Sequence, residues 1–452
     1  MKKITSFKAY DVRGRVPEEL DEDITYRIGR AYAAFVQPRT VAVGRDIRAS
    51  SPKLMAALTR GLNDSGVDVI DIGVGGTELV YFATFSRKLD GGIMVTASHN
   101  PPNYNGMKFV RAESRPISAD TGLNDIRELA ERNEFPAAAR KGTIKQEDIQ
   151  PDYIRHLLSY IDPKKLKPLK IVVNAGNGGA GRIVDLLEPH LPFSFVKLFH
   201  EPDGSFPNGV PNPMVEENRR VTIQKIRAEK ADLGIAWDGD YDRCFFFDEN
   251  GQFIEGYYIV GLLALTFLAK KGPQRIVHDP RLTWSTLDIV QAGGGTAVQS
   301  KSGHAFIKQK MREVDAIYGG EMSAHHYFRD FSYADSGMIP WLLITEIMSE
   351  RNASLAELVG ERMARFPASG EINRKVADAP KLLELAERKY GAQALNVDHT
   401  DGVSIELRDW RFNLRASNTE PLLRLNVESR GDAQLMRART EELLALVGGE
   451  PG

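Results

Sequence analysis

A single cysteine, Cys244, in 452 residues leaves no partner for an internal disulfide and no thiolate set for zinc. A reducing compartment, the cytoplasm, is therefore the expected setting. Charge of one sign is missing as well: 59 Lys and Arg face 61 Asp and Glu, a formal net charge of −2, so capture of nucleic acid by bulk charge is not expected. No apolar run reaches the ~20 residues that cross a bilayer. The longest, Tyr257 to Ala269, is broken by Thr266 and reads as a buried helix. Met1-Lys2-Lys3 has the basic start of a signal peptide, but Ser6, Lys8, Asp11 and Arg13 stand where its apolar stretch belongs, so neither export nor a membrane partner is expected. With low-complexity tracts also absent and 42% apolar residues, the chain can bury a sizeable core. Its length suggests roughly three domains at about 150 residues each.

What is present is an alternation of apolar runs and helix-period segments in three similar blocks. The first has strands at 40–43, 67–72 and 92–95 with helices near 51–65 and 77–88. The second has strands at 170–173, 193–199 and 232–236 with helices near 180–188 and 216–230. The third has strands at 275–278, 296–299 and 315–318 with helices at 283–291 and 303–313. Such alternation predicts largely parallel sheets covered by helices, an α/β class in which ligands bind beyond the carboxyl ends of the strands. The tail breaks the plan, with strands near 371–376, 402–407, 411–414 and 422–428 and helices near 380–390 and 432–447, which predicts a smaller α+β domain. Polar or Gly/Pro-marked stretches at 136–150, 250–251 and 366–370 divide the chain into 1–150, 151–251, 252–367 and 368–452.

The loop after the third strand of each block is dense in reactive side chains: Thr96-Ala97-Ser98-His99-Asn100-Pro101, Asp238-Gly239-Asp240-Tyr241-Asp242-Arg243, and Gly319-Gly320-Glu321-Met322-Ser323-Ala324-His325-His326. Asp238, Asp240 and Asp242 alternate, so an extended loop would turn all three carboxylates to one side, where hard oxygen donors favour Mg²⁺ over zinc. An EF-hand also starts Asp-x-Asp-x-Asp and has an acid at position twelve, here Glu249, but Arg243 stands at position six where glycine is needed, and Phe245-Phe246-Phe247 continues as a strand. A solvated acidic turn is the plainer alternative. Ser98 follows an apolar strand on a tight turn. The G-x-S-x-G elbow is absent and an adjacent His99 is not expected to bend back onto its neighbour, so a hydrolase triad is not signalled. A serine that carries a phosphoryl group beside a divalent cation accounts better for an Asp cluster without a triad.

Lys108 can supply charge or shuttle a proton near this turn, and equally fits a solvated surface lysine. Glu321 and Ser323 suit neighbouring sugar hydroxyls. At least one of His325 and His326 is expected to pack against Tyr327 and Phe328, while His304 opens a helix of the same block. In the tail, Arg415-Ala416-Ser417-Asn418-Thr419-Glu420-Pro421 joins two strands and can cradle a phosphate dianion, or be a polar hairpin turn. Gly176-Asn177-Gly178-Gly179-Ala180-Gly181 fits the dinucleotide pattern G-x-G-x-x-G, but that reading leaves the other four loops unexplained.

Together the four loops resemble those of the α-D-phosphohexomutase family, and within it the bacterial phosphomannomutase/phosphoglucomutase group, over essentially the whole chain. The resemblance implies three similar α/β/α domains with mixed, mostly parallel sheets plus a smaller α+β C-terminal domain, arranged around a central cleft. It implies that Ser98 is a phosphoserine, that Ser98, Asp238, Asp240 and Asp242 hold Mg²⁺, and that Arg13, His99, Lys108 and Arg243 assist transfer. Tyr10, Arg281, His304, Glu321, Ser323 and His325 would contact the sugar phosphate, while Arg415, Ser417, Asn418 and Thr419 would hold the phosphate that does not react. Two positions depart from the pattern: Arg281 stands where relatives often have Lys, and Glu78 follows Gly76-Thr77 where many carry Pro.

The implied reaction interconverts hexose 1-phosphate and hexose 6-phosphate through a hexose 1,6-bisphosphate, which also serves as activator. Mannose and glucose phosphates are the expected substrates, in the branch that supplies GDP-mannose for surface polysaccharide. A glucose-preferring mutase and a phosphoserine-based sugar phosphatase are the alternatives, and a monomer or weak dimer is expected.

Overall fold

The computed structural model describes residues 3–417 and 422–452, and the chain clusters into two compact units, Met1–Phe253 with Tyr327–Asn352, and Ile254–His326 with Ala353–Gly452. No helix among the described residues is long and apolar enough to cross a membrane.

In the first unit, β1 (Val12–Arg15), β2 (Thr40–Arg45), β3 (Asp68–Val74), β4 (Gly91–Val95), β5 (Tyr104–Arg111) and β6 (Ile144–Gln146) form one sheet in the order β1-β5-β4-β2-β3-β6. The β2, β3, β4 and β6 ladders are parallel, as the alternation with helices requires, whereas β5 runs antiparallel to both β4 and β1. Val41, Val43, Ile93, Val95 and Phe109 join Ile28, Leu58, Leu62 and Ile126 in one apolar core. The sequence pattern does not announce β1 and β5. Val-Arg-Gly-Arg is too short and too charged to read as a strand alone, and pairing with β5 is what makes it one.

The second sheet of this unit has β7 (Lys170–Asn174) parallel to β8 (Ser194–Leu198) and β9 (Leu233–Trp237), with β10 (Cys244–Phe247) antiparallel to β9. The helix Ile339–Arg351 belongs here although it lies about a hundred residues further on. Trp341 is fully buried with its ring edge-on to Phe195 at 6.1 Å, and the Trp237 indole N–H donates to the Gly337 carbonyl at 2.8 Å.

In the second unit, the strand Arg275–His278 pairs in parallel with Thr296–Gln299 and Tyr318–Gly320. The expected strand at 315–318 starts later than read, because Asp315 (φ 46°) ends the preceding helix in a left-handed turn and Ala316 N–H still bonds the helix carbonyl of Met311. The apolar run at 257–269 is the buried helix Gly256–Lys271, as expected. The tail mixes strands and helices as expected, and its sheet is antiparallel, with Val403–Glu406, Trp410–Ala416 and Leu422–Ser429 as its centre and Phe412, Leu425, Val427 and Leu443 in its core.

Buried Glu428 fastens this sheet to the rest of the unit. Its carboxylate accepts from Thr283 N at 2.7 Å, at the start of the helix Trp284–Ala292, from the Tyr257 hydroxyl at 2.5 Å and from Arg411 Nη1 at 2.7 Å. Such buried pairs are costly to break by removing one partner.

Candidate active site

Ser98 sits just past the end of β4 with φ 48°, a left-handed conformation that a non-glycine residue adopts only when its surroundings hold it. The turn is closed by Asn100 N–H on the Ala97 carbonyl at 2.9 Å. The Ser98 hydroxyl is nearly buried and donates to Asp238 Oδ2 at 2.8 Å. Ser98 Oγ also lies 2.9 Å from His99 Nδ1. This corrects the expectation that His99 could not bend back: the left-handed turn at Ser98 brings the imidazole round to its neighbour. The arrangement is still not a hydrolase triad, because His99 Nδ1 also receives Arg243 Nη2 at 2.7 Å. Desolvation by the enclosing loops, then Arg243 and Arg13, push the imidazole below its ordinary range, although 36% of the side chain remains exposed.

The aspartates follow β9. One carboxylate oxygen each from Asp238, Asp240 and Asp242 lie within 4.8 Å of one another, and all three residues are buried. They converge for a different reason from the extended alternation read in the sequence. The backbone turns, with Tyr241 at φ 46° and its N–H on the Asp238 carbonyl at 3.1 Å.

Glycine permits the close packing that fixes this turn against the serine loop. A Cβ on Gly239 would stand 2.5 Å from the Ser98 carbonyl oxygen, and one on Gly76 would stand 2.3 Å from that of Asp240. The glycine-rich segment 176–181 serves the same turn, since Gly179 N–H donates to the Gly239 carbonyl at 3.2 Å.

Cations answer part of the acidic charge. Arg243 Nη2 and Nε lie 2.9 and 3.1 Å from Asp238 Oδ2, and Lys108 Nζ lies 2.8 Å from Asp240 Oδ2 and 2.5 Å from Asp242 Oδ2. Lys108 is therefore no solvated surface lysine: β5 carries it into the site, and the two carboxylates, acting against burial, raise its ammonium above the ordinary range. Thr77 donates to Asp240 Oδ2 as well. Even so, burial pushes the Asp238 carboxyl up to about 6, and Asp240 Oδ1 is buried with no hydrogen-bond partner among the described residues. Buried carboxylate oxygens with unspent acceptor capacity fit a hard divalent cation.

Arg13, opposite Gly106 in the β1–β5 ladder, donates to Asn100 Oδ1 at 2.7 Å and pairs with Asp11 at 2.5 Å. Tyr10 is half-buried in the turn just before β1.

In the second unit, Arg281, Glu321, Ser323 and Arg415 of the sequence reading gather around two acids that it missed. Arg281 is buried, with Nη2 2.8 Å from Asp279 Oδ2, 3.3 Å from Ser323 Oγ and 3.5 Å from Glu321 Oε1. Asp279 Oδ2 also accepts Met322 N–H at 2.9 Å, tying the Glu321–Ser323 turn to Arg281. Glu321 Oε1 caps Gly303 N–H at 2.8 Å, just before the helix His304–Val314, which His304 opens as expected. His325 Nδ1 is 3.9 Å from Glu321 Oε2. His326 is fully buried, its ring stacked on Tyr318 with Nδ1 2.7 Å from the Tyr318 hydroxyl.

Glu371 accepts Arg415 Nη2 at 3.1 Å, Arg281 Nη1 at 3.3 Å and Arg424 Nη1 at 3.3 Å. Burial alone would raise its carboxyl, but these three guanidiniums outweigh it and hold it below the ordinary range. Ser417 Oγ lies 3.5 Å from Arg424 Nη2, while Asn418 and Thr419 lie outside the described residues.

Phosphoglucomutase/phosphomannomutase family models match in chain order: alpha/beta/alpha domain I over residues 5–137, domain II over 151–251, domain III over 255–366 and the C-terminal domain over 371–445. A phosphomannomutase of Escherichia coli is 58% identical over 455 residues, spanning 99% of this chain and 100% of the relative. The chain belongs to the phosphoglucomutase/phosphomannomutase family. Phosphohexose mutases of Xanthomonas campestris pv. campestris (strain B100) are 59% identical over 446 residues, 99% of this chain and 100% of theirs.

Among solved structures, a phosphoglucomutase/phosphomannomutase family protein from Burkholderia thailandensis superposes with TM-score 0.89 at 33% identity, over 100% of both chains. A putative phosphomannomutase from Thermus thermophilus gives 0.83 at 25% identity, over 99% of this chain and 100% of that one. Membership in the phosphoglucomutase/phosphomannomutase family accounts for the α/β blocks with a smaller α+β C-terminal domain, and for an acidic cluster able to hold a metal ion.

Proposed function

We propose that this chain interconverts hexose 1-phosphates and hexose 6-phosphates by passing a phosphoryl group through Ser98, with mannose phosphate as the main substrate and glucose phosphate also accepted. The observation that carries the reading is the buried Ser98 hydroxyl, 2.8 Å from Asp238 at the edge of the carboxylate cluster, in a chain 58% identical end to end to a phosphomannomutase.

In the first half-reaction the bond between phosphorus and Ser98 Oγ breaks as a bond to a sugar hydroxyl oxygen forms, and the hydroxyl proton ends on Ser98 Oγ. The resulting hexose 1,6-bisphosphate turns over, and its other phosphate returns to the serine. In this second half-reaction the bond between phosphorus and the sugar's other phosphate-bearing oxygen breaks as a bond to Ser98 Oγ forms, and the serine proton ends on that sugar oxygen. Ser98, Asp238, Asp240 and Asp242 would hold Mg²⁺, which supplies positive charge to the phosphoryl oxygens where charge builds up. Arg243 and Arg13 bring guanidiniums to the same loop, and His99, whose Nδ1 lies 2.9 Å from Ser98 Oγ and accepts Arg243 Nη2 at 2.7 Å, orients both groups for transfer. Lys108 contributes fixed charge from β5.

A mutase must also hold one phosphate while the other reacts, and Arg415 with Ser417, Asn418 and Thr419 takes that task. Glu321, Ser323, Arg281, His304, His325 and Tyr10 read the sugar hydroxyls and orient the ring. Nothing in this chemistry calls for nucleic acid or a membrane, and a cytoplasmic monomer or weak dimer suffices for it. Its product, mannose 1-phosphate, would feed GDP-mannose and surface polysaccharide.

The test is a coupled assay with mannose 1-phosphate and glucose 1-phosphate side by side, with Mg²⁺ and a trace of hexose 1,6-bisphosphate. Isomerised product with mannose favoured supports the reading. Stoichiometric inorganic phosphate instead of isomer would make the chain a sugar phosphatase, and glucose favoured would make it a phosphoglucomutase. Arg415→Ala should raise KM for either sugar phosphate by roughly 10- to 100-fold, the scale of a lost charge-assisted pair of hydrogen bonds. Steady-state kinetics with an unchanged KM would remove Arg415 from the phosphate cradle.

A further inference from the structure

The loop that follows β2 carries an arginine to which the sequence reading gave no role. Arg48 is among the most completely buried large side chains of the protein, with none of its side-chain surface exposed. Its guanidinium serves four main-chain carbonyls between Ser98 and the first residue of β5. Nη2 donates to Ser98 O at 2.9 Å and to Asn100 O at 2.6 Å, and Nη1 donates to Pro101 O at 2.6 Å and to Tyr104 O at 3.1 Å. Asp46, two residues earlier and also buried, faces Arg48 Nε at 3.2 Å and accepts the Arg48 backbone N–H at 3.0 Å. The Phe206 ring lies 5.1 Å from the guanidinium carbon. The planar fork is thus held by a counter-ion and a ring, and spent on the turn that contains Ser98.

Of the four carbonyls, that of Ser98 itself bears most directly on the chemistry. A left-handed φ at a non-glycine residue is strained and persists only where several contacts over-determine it. Gly239 packs closely against the same carbonyl. With that peptide fixed, the direction of the Ser98 side chain is fixed, toward Asp238 Oδ2 and His99 Nδ1. Released, the peptide can relax toward the ordinary right-handed region, and the hydroxyl swings away from both.

We propose that Arg48 is the positioning residue of the phosphoryl-carrying serine, clamping the 98–104 backbone so that Ser98 Oγ is presented in line for transfer. The inference rests on the reading of Ser98 given above. Arg48 touches no substrate; it acts through the loop. Misplacing a reacting atom by about 1 Å costs on the order of 100-fold in rate. Lysine keeps the charge but is a point donor that cannot span four carbonyls, so it should not substitute for the fork.

The test uses Arg48→Lys and Arg48→Gln in the full chain, with rates referred to the folded fraction. Two quantities are measured: kcat and KM in the coupled assay, and the single-turnover rate at which Ser98 gains about 80 Da from hexose 1,6-bisphosphate by intact mass. The expected result is kcat lower by about 100-fold with KM within threefold, and serylphosphate formation slowed by the same factor as kcat. A purely structural role would lower the folded fraction and leave kcat per folded molecule unchanged. Should Arg48→Gln not fold, Arg48→Lys alone carries the test.

Near-wild-type kcat per folded molecule in the variants, or a raised KM with kcat intact, overturns the role of Arg48 while wild-type phosphoryl uptake still supports the serine. Absence of uptake by the wild-type chain overturns the serine reading and this inference with it.

Discussion

Ser98→Ala should abolish isomerisation, with kcat reduced by at least about 10⁴-fold, while the melting temperature stays within a few degrees of wild type. The size follows from chemistry: without an oxygen at this position no covalent phosphoryl carrier exists, and electrostatic stabilisation by neighbouring groups has nothing to act on. Stability should be spared because the lost hydroxyl donates one hydrogen bond, to Asp238, and a single bond contributes about 1 kcal/mol. The turn itself is held by main-chain contacts that alanine keeps, Arg48 on the Ser98 carbonyl and Ser98 N–H on Thr96 Oγ1 at 3.0 Å. The check is a coupled assay beside intact-mass detection of serylphosphate and a thermal melt. A variant that still turns over near the wild-type rate would mean that phosphorus travels by another oxygen.

Asp240→Asn should be nearly as damaging to turnover, by about 10³-fold or more, and should weaken divalent-cation binding by at least about tenfold in a titration without substrate. Asparagine keeps the shape and an acceptor for Thr77 but removes a formal charge from the aspartate whose buried Oδ1 has no hydrogen-bond partner among the described residues. It also leaves Lys108 with Asp242 as its remaining carboxylate partner, so the local charge rises by one unit where an incoming cation must settle. Excess Mg²⁺ should recover part of the loss at a site weakened but not erased. Activity equal to wild type in the presence of a chelator would sink the metal assignment.

Much of this site could be read from the chain because polar clusters interrupt apolar strands at equivalent points. Ser98 after β4 and Asp238 after β9 stand out against fully buried strands, and the structure brings both clusters within hydrogen-bond reach. The geometry of the loops was less legible. Left-handed residues at 98 and 241 carry the side chains round, and nothing in Ser or Tyr announces a positive φ.

Arg48 and Glu371 escaped for another reason. Arg48 bonds main-chain carbonyls, which every residue type offers alike, and Glu371 meets arginines at 281, 415 and 424, none of them near it in the chain. The visible hint was position: Asp46 and Arg48 follow the first strand of the first block, at the end where parallel sheets place their ligands. Pairing across the sheet decides the rest. Arg13 and Lys108 lie on strands whose own sequences are too short or too mixed to declare themselves, and only the β1–β5–β4 ladder sets them beside the loops.

The helix Ile339–Arg351 has a consequence for how the protein is made. Its buried Trp341 packs edge-on against Phe195, yet the ribosome reaches it about 90 residues after Phe253, about 4–18 s later at ordinary elongation speed. During that interval the nascent amino-terminal half carries an uncovered greasy face, so a holdase or a slowed, folding-coupled translation would protect its yield in the cell.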